Sequence, residues 1–278
     1  MGFIRNTSVD LELTLIGSAQ CFSWVKSGET FEAVLNGRPV RLRQAGDGIE
    51  YEGIGEAELR RYLDLDRDYA AIAREFSDYP PFRRAMELYP GLQVLRQDPW
   101  EATLSFILSA NNNVARITRL VQGLCRAFGP ECGGLWGFPS PETLAAVPEE
   151  SLRALGMGYR APYIKETARR VAEGFPLDDL ADMEYDEAHR LLVSLPGVGD
   201  KVADCILLFG CGHTSAFPVD VWVERLLKEW FGITAANRKK LALEARARFG
   251  PHAGLMQQFL FHAARTGDIS TESGAKPA

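Results

Sequence analysis

Leu195-Pro196-Gly197-Val198-Gly199-Asp200-Lys201-Val202-Ala203 decides how the rest of this chain is read. A helical segment runs up to it and another leaves it. Pro196 cannot continue the first helix. Gly197 and Gly199 reach positive φ without steric cost and leave backbone amides uncovered by side chains. The amides of Gly197, Gly199 and Val202 then point outward at the start of the second helix, where the macrodipole favours an anion. A helix–hairpin–helix of this kind clamps phosphate and reads a DNA backbone, not a base sequence. Glycine-rich helix entries are common, so a plain tight turn stays open on this stretch alone.

Asp220 follows nineteen residues after Lys201, within Phe217-Pro218-Val219-Asp220-Val221-Trp222. Pro-Val-Asp reads as another helix entry, so a lysine at one helix start and an aspartate at the next can face one cleft. Taken singly, Lys201 is a solvated helix-start lysine and Asp220 a cap. Taken together, they suggest a nucleophile and its electrostatic partner. An ordinary lysine, with a pKa of about 10.4, is neutral in roughly one molecule in 2,500 at pH 7. Bringing such an amine to about 8 takes about 3.3 kcal/mol. A helix dipole supplies only about 0.3–1 kcal/mol, so burial must do most of it. Contact with an ionised aspartate would hold the ammonium instead. Asp220 is therefore expected to address positive charge developing on a sugar, or a proton in transit.

The chain has 278 residues, with 31 Lys and Arg against 37 Asp and Glu, a net charge of −6, and 46% hydrophobic residues. That composition argues against disorder, and the length suffices for a core without disulfides or metals. The net charge counts against a chain-wide nucleic-acid surface, but a local amide-lined entry binds phosphate without a basic chain. No stretch approaches the ~18 apolar residues of a membrane span. The opening MGFIRNTSVD lacks the apolar run of a secretory signal. Cys21, Cys125, Cys132, Cys205 and Cys211 form no C-x-x-C pair and have neither zinc-finger nor iron–sulfur spacing. Reduced thiols in a cytoplasmic protein are expected, with no metal cluster.

Towards the amino terminus, Leu11, Leu13 and Leu15 alternate with polar positions. Phe22, Trp24, Phe31, Val34 and Val40 sit in short runs broken by Ser27-Gly28, Asn36-Gly37 and Gly46-Asp47-Gly48. Asn-Gly between apolar runs signals a hairpin, and antiparallel sheet is expected over about 8–53. After about Leu65 helix signals take over. Asp98-Pro99-Trp100-Glu101 is a capping box. Ile117, Leu120, Val121 and Leu124 make one stripe, closed by Gly129-Pro130. Further helices are expected from Ser140, up to Gly156 and Gly174, and near 185–194, 199–209, 219–230, 237–249 and 251–264. No internal repeat is present. The fold class is α+β. A small antiparallel sheet and leading helices make an N-terminal domain over 1–97. A mostly helical two-lobed domain, about ten helices in all, fills 98–265, and a polar tail 266–278.

The stretches LPGVGDKVADCILLFG (195–210) and FPVDVW (217–222) resemble the helix–hairpin–helix DNA glycosylase superfamily. LSANNNVARITRLVQGLCRAFGP (108–130), LGMGYRAPY (155–163), GLMQQFLFH (254–262) and GSAQCFSW (17–24) bring the resemblance close to its 8-oxoguanine DNA glycosylase branch, over about residues 10–265. The resemblance implies a bifunctional glycosylase/AP lyase of base excision repair. Lys201 would attack C1′ of the damaged nucleotide, the base would leave, and β-elimination through a Schiff base would nick the strand. Asp220 would stabilise the transition state. Lysine amines form Schiff bases with carbonyl carbons, and the target base must leave the duplex to be reached.

For that base the resemblance implies an acceptor for N7–H at the Ala19 carbonyl, where the family has glycine. Gln257 would bond the Watson–Crick edge, and Cys205 and Phe261 would sandwich the faces. Gln257 and Phe261 lie four apart, on one helical face. Asn111, Arg116 and Arg160 would bond the orphaned cytosine, with Tyr159 wedged beside it. Carbonyls of Val193, Leu195 and Val198 would hold a structural monovalent or divalent cation. No cofactor is required for catalysis, and no iron–sulfur cluster is expected. The expected partner is double-stranded DNA containing 8-oxoguanine, bound by a monomer in the cytoplasm, on the nucleoid if bacterial, with no membrane.

Two departures stand against the family pattern. Ala19 adds a methyl, and Trp222 stands where some relatives carry a phosphate-contacting histidine. They suggest a bacterial-type variant with a looser preference for the opposite base. Two other readings stay open: an alkylated-base glycosylase, which would not need Lys201, and a non-catalytic DNA-binding module, which would need neither Lys201 nor Asp220.

Overall fold

The structure is a computed structural model that describes residues 1–269; the expected polar tail lies outside the described residues from 270 onward. Five strands, β1 (Gly2–Ile4), β2 (Val25–Ser27), β3 (Thr30–Leu35), β4 (Arg38–Ala45) and β5 (Gly48–Glu52), form an antiparallel sheet of order β1-β5-β4-β3-β2. Asn36 and Gly37 turn β3 into β4 with φ of 50° and 71°, the twist a two-residue hairpin needs. Leu35 then pairs with Arg38, and across the next turn Ala45 pairs with Gly48.

The sheet does not extend back to residue 8. Leu11, Leu13 and Leu15 lie in a helical turn, α-helical at Leu11 and π-helical over Leu13–Gly17. Leu11 and Leu15 are buried and Leu13 only partly so. The spacing of four between the buried pair set the structure, and the alternation was too short to distinguish it from a strand. Asp10 starts the turn by accepting the Leu13 amide at 2.9 Å.

Helices begin earlier than Leu65: α1 (Glu56–Tyr62), α2 (Tyr69–Glu75) and α3 (Pro80–Leu88) precede α4 (Pro99–Ser109) and α5 (Val114–Phe128). A short hairpin, β6 (Glu131–Cys132) and β7 (Leu135–Trp136), was not anticipated. Then come α6 (Pro141–Ala146), α7 (Glu149–Ala154), α8 (Ala161–Ala172), α9 (Tyr185–Val193), α10 (Asp200–Phe209), α11 (Val221–Phe231), α12 (Arg238–Phe249) and α13 (Ala253–Thr266). The described residues thus hold thirteen α-helices, not ten, because the short ones carry too few apolar repeats to register as a stripe.

Two hydrophobic cores result. One joins Trp24, Phe31, Val40, Leu42 and Ile49 of the sheet region to Leu59 and Leu63. The other fills the helices, and Phe82, Phe217 and Phe259 are fully buried in it. The segment after Gly17 serves both: Cys21 and Trp24 enter the first, while Phe22 meets Phe106 edge-on at 6.2 Å in the second. This threading carries Ala19 to the helical side. There α4 packs on α10, α10 on α9, and α13 on α3.

Candidate active site

The hairpin between α9 and α10 is built around two glycines with different duties. Gly197 has φ of +80°, and a Cβ on it would sit 2.7 Å from the Tyr163 ring, so backbone and packing both demand glycine. Gly199 caps α10 with ordinary extended dihedrals, and a Cβ there would meet nothing within 4 Å. No side chain caps this helix. Its first intrahelical bond runs from the Ala203 amide to the Gly199 carbonyl at 2.9 Å, so the amides of the first turn, Val202 included, have no partner within the helix. They form an open anion-binding surface. Arg170 braces the turn through the Ser194 carbonyl at 2.9 Å. Asp200, a negative charge at this mouth, lies 3.4 Å from Lys239. Of the three candidate cation-binding carbonyls, that of Leu195 accepts the Val198 amide at 3.1 Å.

Lys201 and Asp220 line one cleft of about 760 Å³, within the range of about 300–1,000 Å³ of small-molecule sites. Lys201 is half-buried, short of the sealed setting expected for its amine. Its Nζ lies 3.5 Å from Ser109 Oγ at the end of α4 and 5.5 Å from the Phe106 ring centre. Burial pushes the neighbouring Cys205 thiol up to about 11, against the pull of the Lys201 ammonium. Among the described residues Lys201 forms no ion pair with Asp220. Asp220 Oδ1 instead accepts the amides of Trp222 and Val223, each at 2.9 Å, and caps α11. Cap and cleft residue are thus the same aspartate, with Oδ2 unpartnered among the described residues.

Ala19 and Phe261 line this cleft too. Ala19 has φ of +59°, a left-handed backbone that explains why glycine suits the position. Gln257 is 4% exposed, and its buried Oε1 has no hydrogen-bond partner among the described residues. Such an orphan is costly unless something else fills the vacancy. Cys205 is buried against Lys201.

Asn111, Arg116, Tyr159 and Arg160 gather at another rim, on the loop after α4 and the segment facing it. Asn111 is left-handed at φ of 49°, Asn112 Nδ2 donates to the Leu108 carbonyl at 3.0 Å, and Asn113 caps α5 through the Arg116 amide at 2.9 Å. The asparagine run therefore serves a turn. Arg116 reaches the Gly156 carbonyl at 3.3 Å. Arg160, only 3% exposed, donates to the carbonyls of Ala110 and Asn111 at 3.0 and 2.9 Å and stacks on Tyr159, which is half-exposed. It holds the Asn111 loop from beneath.

Ser109, Arg238 and Lys239 line the cleft without having been singled out in the sequence. The basic run Arg238-Lys239-Lys240 at a helix start was a visible signal; Ser109 gave none. Trp222 lies at the mouth, its indole N–H unpartnered among the described residues. Among the described residues no group of three or more His, Cys, Asp or Glu could hold a metal, and no helix is long and apolar enough to cross a membrane. All five cysteines are free.

An uncapped hairpin amide surface thus lies beside a cleft that holds a lysine and an aspartate, and the sequence as a whole matches DNA-repair glycosylase families. Residues 104–251 match the family described as HhH-GPD superfamily base excision DNA repair protein, and the chain belongs to that family. Residues 3–103 match the 8-oxoguanine DNA glycosylase N-terminal domain. The chain is 34% identical to an N-glycosylase/DNA lyase of Arabidopsis thaliana, over 94% of this chain and 78% of that protein. It is 40% identical to a probable N-glycosylase/DNA lyase of Methanothermobacter thermautotrophicus, over 62% of this chain and 63% of that one. The crystal structure of Clostridium acetobutylicum 8-oxoguanine glycosylase/lyase, with double-stranded DNA containing cytosine opposite 8-oxoG, superposes with a TM-score of 0.89 at 32% identity, covering 96% of both chains.

Proposed function

We propose that this chain is a bifunctional 8-oxoguanine DNA glycosylase/AP lyase. The observation that carries the reading is the convergence of Lys201, Asp220 and Ala19, whose carbonyl is unpaired among the described residues, on one cleft beside an open amide surface. The amides of Gly197, Gly199 and Val202 take a DNA phosphate. An extruded 8-oxoguanine presents N7–H to the Ala19 carbonyl and its Watson–Crick donors to the orphaned Gln257 Oε1, between Phe261 and Cys205. Guanine carries a lone pair at N7 and meets that carbonyl as acceptor against acceptor.

The Lys201 Nζ lone pair forms a bond to C1′ as the glycosidic bond breaks, and its electron pair leaves with the base, which takes a proton. Asp220 stabilises the positive charge on the sugar. Ring opening gives the protonated Schiff base. Loss of a C2′ proton then expels the 3′ phosphate, and water releases the amine. The filled cleft completes the desolvation of Lys201 that the free protein leaves partial. Asn111 and Arg116 contact the orphaned cytosine, Tyr159 fills the gap, and Arg160 acts beneath or directly on that base. Carbonyls of Val193, Leu195 and Val198 suit a structural cation once a phosphate adds its charge. Ala19 and Trp222 support a looser preference for the opposite base.

Single-turnover assays on duplexes with 8-oxoguanine opposite C, 8-oxoguanine opposite A, and an alkylated purine test this. Release and nicking at 8-oxoguanine, with comparable rates opposite C and A, is expected. Release of the alkylated purine alone overturns the substrate; a strong C preference overturns the loose pairing.

A further inference from the structure

Gln258 follows Gln257 on α13, yet its amide is already committed. Its Nε2 donates to the Ser18 carbonyl at 2.8 Å, and both residues are buried. The neighbouring carbonyls are tied as well. Arg265, two turns further along α13, donates to that of Gly17, and Gln97 Nε2 donates to that of Gln20 at 2.7 Å. Ala19 is the exception in the run. Its carbonyl has no partner among the described residues, and the residue lines the cleft. Its backbone is left-handed at φ of +59°, which costs a residue with a Cβ about 1 kcal/mol or more. Such a conformation persists only where its surroundings over-determine it. The Ser18 carbonyl belongs to the peptide plane about which φ of Ala19 is measured, so pinning it removes one of the two soft dihedrals that aim the next carbonyl.

The geometry points to Gln258 as a specificity-determining positioning residue: by fixing the Ser18 carbonyl on the α13 side, it keeps the Ala19 carbonyl aimed into the cleft at a donor on the edge of the extruded base. The inference rests on the cleft being the base site. It assigns Gln258 to recognition of the base and to no part of the lyase chemistry.

Gln258→Met keeps length and volume while removing the donor. Two single-turnover assays with wild type and variant separate the roles: base release from an 8-oxoguanine:C duplex, and cleavage of a preformed abasic site opposite C. Base release is expected to fall about tenfold, the factor given by about 1.4 kcal/mol of lost aim. Abasic-site cleavage, which has no base to read, is expected to stay within about twofold. Equal losses in both assays, or none in either, overturn the proposal. Gln258→Glu, which sets a carboxylate against the carbonyl, must lose base release at least as severely; retention there also overturns it. A wild type that cleaves abasic sites but releases no 8-oxoguanine overturns instead the reading of the cleft, and this inference with it.

Discussion

At the scale of single residues, Asp220 separates capping from chemistry. Asparagine caps a helix about as well as aspartate, so Asp220→Asn is expected to keep its melting temperature while single-turnover excision falls by about two orders of magnitude or more, as for loss of an electrostatic contact to the transition state. DNA affinity should change little; a large affinity loss would assign Asp220 to structure alone. Ala19→Gly tests the left-handed backbone. Glycine removes the Cβ penalty, and stability should rise by about 1 kcal/mol in a denaturant titration. That Lys201 and Asp220 share one cleft was legible in the sequence because proline and glycine punctuate the two helix starts that carry them. The placement of Ser109 and Gln258 was not, because it depends on which neighbour folding brings against them.

At the scale of elements, the entry to α10 leaves its first-turn amides without an intrahelical partner, the surface proposed to take a DNA phosphate. Gly199 needs no positive φ, and a side chain there would project into open space. Gly199→Val is therefore expected to fold normally but to screen the amides, weakening binding to undamaged duplex about tenfold in a titration at fixed salt. Unchanged affinity would place the DNA elsewhere. Gly197→Ala, which forces a methyl onto Tyr163 as well as straining the backbone, should instead destabilise the whole chain. Capped helices were the most legible elements. Asp98 accepts the amides of Trp100 and Glu101, and Ser140 that of Thr143, where the capping residues pointed. The turn at Leu11 to Leu15 was misread because a run so short satisfies both a period of two and a spacing of four. The three-residue β1 left no signal at all.

At the scale of the whole molecule, buried titratable groups set the pH response. Burial raises Asp204 to about 7, against the pull of the Tyr185 hydroxyl and Arg246. Between about pH 4 and 7 the folded chain keeps a proton that the unfolded chain gives up, so this group's contribution to stability falls as pH rises and levels off above that window. Burial lowers His262 to about 4, with Arg265 adding to it. Between about 4 and 6.5 the unfolded chain takes a proton that the folded chain refuses, so this contribution rises with pH. Asp204→Asn removes only the first. Its melting temperature relative to wild type should therefore be higher at about pH 8 than at about pH 5. The same difference at both pH values would mean that Asp204 is ionised throughout. The net charge of −6 did not point to a DNA-binding face, because unpaired backbone amides at a helix start offer positive potential that a count of charged side chains does not register.

In the proposed reaction one amine, that of Lys201, forms a covalent bond to the sugar of an extruded nucleotide. Sodium borohydride added to the protein with an 8-oxoguanine:C duplex reports that bond directly. A stable protein–DNA adduct is expected with wild type and none with Lys201→Gln, while the variant still binds the lesion duplex. An adduct of equal yield in the variant, or none in the wild type, would contradict it.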